Sequence, residues 1–82
     1  MIRVHVKFFA AARDAAGTAS TDLELPTSAT VADALAVLIE QFPPLATHAD
    51  RLAVAVNLSY ARRDQALNDD DELALIPPVS GG

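Results

Sequence analysis

Two glycines, Gly81 and Gly82, close the sequence, and a single further glycine, Gly17, occurs elsewhere in it. Glycine has no Cβ, so a Gly-Gly segment can enter a narrow channel and accept whatever φ the channel imposes. A carboxylate on such a segment is a poor electrophile. Converted to an acyl-adenylate it becomes reactive, and a sulfur or amine nucleophile can then displace AMP. Pro77-Pro78 stands just before, separated from the glycines by Val79 and Ser80. Proline cannot donate to a sheet ladder and favours an extended strut. Fully extended, residues 77–82 would reach about 20 Å. The pattern predicts a folded body over 1–76 and a tail over 77–82, with Gly82 reacting and Gly81 threading.

Other residues offer less chemistry. His5 and His48 have no Ser or Asp at a spacing that predicts a triad or a metal site. Asp69, Asp70, Asp71 and Glu72 are contiguous and lack the alternation and glycine of a calcium loop. The glycines form no phosphate-binding loop. Cysteine is absent, which excludes disulfides, thiolate metal sites and a cysteine nucleophile. No cofactor is therefore expected on this chain.

Charge is unevenly placed. The net charge is −5, yet residues 1–63 balance Arg3, Lys7, Arg13, Arg51, Arg62 and Arg63 against Asp14, Asp22, Glu24, Asp33, Glu40 and Asp50. The excess comes from Asp64, Asp69, Asp70, Asp71 and Glu72. Nucleic acid is an unfavoured ligand, because phosphate backbones demand clustered cations. The acidic run reads either as a solvated loop or as a surface for a basic partner. No apolar run is long enough to span a membrane and the N-terminus lacks a signal-peptide pattern, so a cytoplasmic protein is expected.

The elements that must position these residues follow from periodicity. Ile2, Val4, Val6 and Phe8 alternate with Arg3, His5, Lys7 and Phe9, the period of a strand with one buried face. Residues 10–16 predict a short helical turn closed by Gly17. Thr21, Leu23 and Leu25 predict a second strand, paired with the first as a hairpin. Thr30 reads as a helix N-cap with Asp33 in the capping-box position. Val31, Leu35, Leu38, Ile39 and Phe42 then form one apolar stripe, stopped by Pro43-Pro44. Residues 45–50 read as a connector. Leu52, Val54 and Val56 predict a third strand and Tyr60-Ala61 a short fourth. A turn over 68–71 leads to a last strand over 73–76, apolar on both faces and so suited to the middle of a sheet. The order is β-β-α-β-β-β. One long helix must lay its stripe on one face of one sheet, and the helix crossover makes the first and last strands parallel neighbours. The predicted fold is α+β, a ubiquitin-like β-grasp with a mixed sheet of four to five strands on one main helix.

Across its length the chain resembles the small subunit of molybdopterin synthase, a ubiquitin-like sulfur carrier. The resemblance rests on Phe8-Phe9-Ala10-Ala11-Ala12-Arg13 followed by Gly17-Thr18, on Val54-Ala55-Val56-Asn57, and on Asp71-Glu72-Leu73-Ala74 running to Pro77-Pro78-Val79-Ser80-Gly81-Gly82. It implies that an adenylating enzyme of the ubiquitin-activating type, using ATP, loads Gly82. A sulfur donor protein then converts Gly82 to a thiocarboxylate. The large synthase subunit accepts the tail, and the Gly82 sulfur builds the dithiolene of molybdopterin. Alone the chain is implied to be inactive, a cosubstrate and subunit of a heterotetrameric sulfurtransferase. One departure stands out: the final turn usually reads Asp-Gly-Asp-Glu, and here Asp70 replaces the glycine. Asp tolerates positive φ at modest cost.

Partner contacts are expected at Phe9, Pro77, Pro78, Val79 and Ser80. Phe9 falls on the polar face of the first strand, where an aromatic is either an interface anchor or tucked under Arg13. The role of Arg13 stays open. Competing readings are the sulfur carrier of thiazole synthesis, a modifier joined to target lysines through Gly82, and a plain interaction module.

Overall fold

The computed structural model describes residues 1–78. Its elements are β1 (Ile2–Phe8), α1 (Ala10–Ala16), β2 (Ser20–Leu25), α2 (Val31–Gln41), two 3₁₀ turns (Pro43–Thr47 and Ala49–Arg51), β3 (Ala53–Val56), β4 (Ser59–Ala61) and β5 (Glu72–Ile76). The strands form one five-stranded sheet in the order β2-β1-β5-β3-β4. β1 and β5 are parallel, aligning Val6 with Leu73 and Phe8 with Leu75. The β1–β2, β3–β5 and β3–β4 pairs are antiparallel. This is the β-grasp arrangement expected from the element order.

β1 buries Ile2, Val4, Val6 and Phe8, as its period requires. β5 sits at the centre of the sheet but hides only one face. Leu73 and Leu75 are buried, whereas Glu72, Ala74 and Ile76 are half-buried on the other. The reason is architectural: α2 covers one face only, so the second is left to whatever docks there.

α2 starts at a complete capping box. The Asp33 backbone N–H donates to Thr30 Oγ1 at 3.3 Å and the Thr30 N–H to Asp33 Oδ2 at 2.9 Å. Its buried residues are Val31, Ala34, Leu35 and Leu38. Ile39 and Phe42, expected in the same stripe, are only partly buried and pack against the edge of this core. Phe42 meets Phe8 edge-to-face at 5.6 Å between ring centres, an arrangement the ring quadrupoles favour. Burying each of Leu25, Leu38, Leu73 and Leu75 stabilises the fold by about 1.5–3 kcal/mol.

Residues 45–50 are more than a connector. They build the two 3₁₀ turns, and Leu45 is 1% exposed beneath them. Arg63 fastens this stretch by donating from Nη2 to the Leu52 carbonyl at 2.6 Å and the Ala49 carbonyl at 3.4 Å. Such a buttress supplies the lid that a single long helix cannot.

Two turns use left-handed backbone. Asn57 and Leu58, at φ 50° and 71°, join β3 to β4 with both central residues at positive φ, the twist a tight hairpin prefers. Asp70 adopts φ 66°, so the position that asks for glycine is left-handed here too. Gly17 ends α1 at φ 73° and returns its N–H to the Arg13 carbonyl.

Candidate functional site

The chain leaves the sheet from the end of β5. Two flanking strands fix its direction: β1 on one side and β3, which pairs Ala53 with Ile76, on the other. Pro77 is buried and Pro78 is exposed. Of the two prolines expected as contacts, Pro78 is the exposed one. Val79, Ser80, Gly81 and Gly82 lie outside the described residues.

Phe9 stands beside this exit. Its N–H donates to the Leu75 carbonyl at 3.2 Å, which draws the end of β1 along β5. The preceding Phe8 is 2% exposed and Phe9 46%. Phe9 therefore points away from the core, onto the face that α2 leaves open. The next residue, Ala10, takes φ 49°, a left-handed conformation that an alanine adopts only under constraint.

The open face divides in two. Across β2 and β1 it is charged, with Arg3 3.1 Å from Glu24 and His5 Nδ1 2.9 Å from Asp22. Lys7 lies 3.4 Å from Glu72. The hydrogen bond to Glu24, more than any distant charge, raises the Arg3 pKa, and the bond to Asp22 raises that of His5 above the ordinary histidine range. These groups are well exposed, so each pair adds little to stability. Across β5, β3 and β4 the face is small and apolar: Ala74 pairs with Ala55, and Ala55 with Tyr60, which is 77% exposed. Tyr60 and Ile76 lie on this half of the face and are not residues that the sequence singles out. The alternation of β5 held the signal for Ile76, since it lies two residues from Ala74 and opposite Leu73 and Leu75.

The acidic run is neither a plain solvated loop nor a free acidic patch. Asp71 is 8% exposed, and its carboxylate accepts from Asn57 Nδ2 at 2.9 Å and from the Asn68 N–H at 2.7 Å. Asp69 Oδ1 accepts the Arg3 backbone N–H at 2.8 Å. These carboxylates shape the turn that feeds β5. Asp70, 3.6 Å from His5 Nε2, and Glu72 face the charged half of the sheet. His48 sits between the two 3₁₀ turns, far in sequence and in element from His5. Among the described residues no group of three or more His, Cys, Asp or Glu is placed to hold a metal ion, and no helix is long and apolar enough to cross a membrane.

Known proteins share this sequence and this geometry. A molybdopterin synthase sulfur carrier subunit from Drosophila erecta is 41% identical over 85 residues, spanning 100% of this chain and 93% of the relative. The crystal structure of SAMP1 from Haloferax volcanii superposes with a TM-score of 0.91 at 34% identity, covering 98% of this chain and 99% of that one. A chain in the complex of subunits 1 and 2 of the molybdopterin-converting factor from Helicobacter pylori has a TM-score of 0.73 at 22% identity, with 99% and 100% of the two chains covered, and shares the fold. The ThiS family matches residues 6–82, from the middle of β1 through the exit of β5. A match that takes in the sheet, the crossover helix and the exposed exit together leaves one assignment: this chain belongs to the ThiS family.

Proposed function

We propose that this chain is the sulfur carrier subunit of molybdopterin synthase and acts in molybdenum cofactor biosynthesis in the cytoplasm. The observation that carries the reading is the 41% identity, along the whole chain, to a protein of that name. The geometry supports it, because the central strand ends at an exposed proline beside an exposed aromatic on an uncovered sheet face.

In this reading an adenylating partner of the ubiquitin-activating type binds ATP. The Gly82 carboxylate attacks the α-phosphorus, pyrophosphate leaves, and an acyl-adenylate forms. A sulfur donor protein releases sulfur at the hydrosulfide level, its C–S bond to Gly82 forms as the C–O bond to AMP breaks, AMP leaves, and Gly82 becomes a thiocarboxylate. The large synthase subunit docks on the open face and takes the tail, with Phe9, Pro78, Val79 and Ser80 along its path and Gly81 leaving room for passage. The thiocarboxylate sulfur attacks the pterin precursor, water cleaves the C–S bond to the carrier and restores the Gly82 carboxylate, and the sulfur becomes part of the dithiolene. General acids and bases belong to the large subunit, so the chain is a cosubstrate rather than a catalyst. ATP is held by the adenylating partner and no cofactor by this chain.

The likeness to SAMP1 supports a second reading, in which a lysine of a target protein displaces AMP from Gly82 and the chain is a modifier. Deleting Gly82 tests the first reading in a reconstituted synthase assay. The shortened chain should melt like the parent, since a terminal residue buries little, and should transfer no sulfur. Full transfer by the shortened chain would overturn the proposal.

A further inference from the structure

Beside Phe9 lies a cavity of about 320 Å³ lined by Lys7, Phe8, Phe9, Ala10, Arg13, Ala19 and Ser20. Its floor is small, its wall aromatic and its rim cationic. Lys7 has one partner, Glu72 at 3.4 Å, and both are substantially exposed. Arg13 has neither an ion pair nor a side-chain hydrogen bond among the described residues. A guanidinium with five donors and no side-chain hydrogen bond of its own is the group best shaped to grip a carboxylate in bidentate fashion. Of the neighbouring carboxylates, Glu72 pairs with Lys7, and Asp14 lines with Arg13 the adjoining hollow at Gly17, Thr18 and Ala19. The net charge of −5 repels acidic segments from most of the surface, which leaves this rim as a favourable landing point for one. Ala10, itself part of the lining, takes φ 49°, and strain of this kind collects at functional sites.

We propose that the Lys7–Phe9–Arg13 cavity receives an acidic segment of the protein that docks on the open sheet face: a carboxylate on Arg13 and Lys7 with a neighbouring apolar side chain against Phe9. The inference rests on the sulfur carrier reading for its partner, the large synthase subunit, and adds what that partner must present.

Calorimetric titration of the intact carrier with the large subunit of the same organism tests it. Arg13→Glu should weaken binding about tenfold or more at low salt, and Arg13→Lys by a smaller factor because the fork is lost while the charge remains. Wild-type affinity should fall with added salt, and that of Arg13→Glu should fall less. Thermal melting should be unchanged in both variants, since Arg13 is exposed. Weakening by Phe9→Ala with Arg13→Glu within about twofold of wild type would overturn the acidic segment and leave the docking face standing. Failure of the wild-type chain to bind the large subunit would instead count against the sulfur carrier reading. An NMR titration of the carrier alone with the peptide acetyl-Asp-Phe-Asp-amide then decides the inference. Shifts at Lys7, Phe9 and Arg13 that vanish in Arg13→Glu support it. Absence of those shifts, or equal shifts with inorganic phosphate, overturns it.

Discussion

Asn57 and Asp71, 14 positions apart in sequence, are joined by a 2.9 Å hydrogen bond from Asn57 Nδ2 to Asp71 Oδ1. Asn57 also accepts the Glu72 N–H on its Oδ1 at 3.0 Å and donates its backbone N–H to the Glu72 carbonyl at 2.8 Å. The β3–β4 hairpin is thereby tied to the turn that launches β5. Asp71→Ala should lower unfolding stability by about 1–3 kcal/mol, because the Asn57 amide and the Asn68 N–H lose their shared acceptor. Urea denaturation measures this, and an unchanged midpoint would remove the tie from the account.

Asp70 tests the left-handed turn. Replacing it with valine should cost about 1–2 kcal/mol, since a β-branched residue resists φ near 66°. Asp70→Gly should stay within about 1 kcal/mol of the parent, the relief of strain being offset by unfolded-state entropy. Equal effects of the two substitutions would show that the backbone conformation is not what matters there.

The start of α2 gives a third expectation. Thr30→Ala removes the acceptor of the Asp33 N–H and should cost about 1 kcal/mol. Amide exchange over the first turn of α2 should quicken in the variant, and unaltered protection would contradict the assignment of the cap.

Much of this was readable from single residues and short periods. The alternation Ile2-Val4-Val6-Phe8 determined which face of β1 is buried, and Thr30 with Asp33 located the helix start, because both signals are local. Leu45 and Leu67 were not readable as core. Leu45 lies in a short 3₁₀ turn and Leu67 in irregular backbone, where burial depends on what arrives from elsewhere, and they are 1% and 3% exposed. The Asn57–Asp71 pair was hidden for the same reason: neither residue's neighbours reveal a contact 14 positions away. At the site, Phe9 was marked by its place on the polar side of β1. Beside the Phe9–Arg13 cavity Ala10 turns left-handed, which an alanine does not announce. Pro77 reads as part of the tail because proline ends a ladder, and its burial is not something a proline in that position announces.

His5 carries the pH prediction. Its hydrogen bond to Asp22 chiefly, with Asp70 adding to it, raises its folded pKa, while Glu72, Arg3 and Lys7 stand beside it on the same face. A raised folded pKa means that the contribution to stability is complete below the ordinary histidine value, roughly 6.5. It is lost as pH climbs through the folded pKa. The His5 ring should therefore titrate by NMR above that ordinary value, and Asp22→Asn should bring it down further than Asp70→Asn does. A His5 midpoint at or below the ordinary value would contradict the geometry.

The sulfur carrier reading is tested most directly by the intact mass of the protein isolated from its native host in non-reducing buffer. A population heavier than the unmodified chain by the difference between one sulfur and one oxygen, with fragmentation locating the change at Gly82, is the predicted result. A chain found only unmodified or only as amide-linked conjugates of higher mass, under conditions where the cell is making molybdopterin, would contradict it.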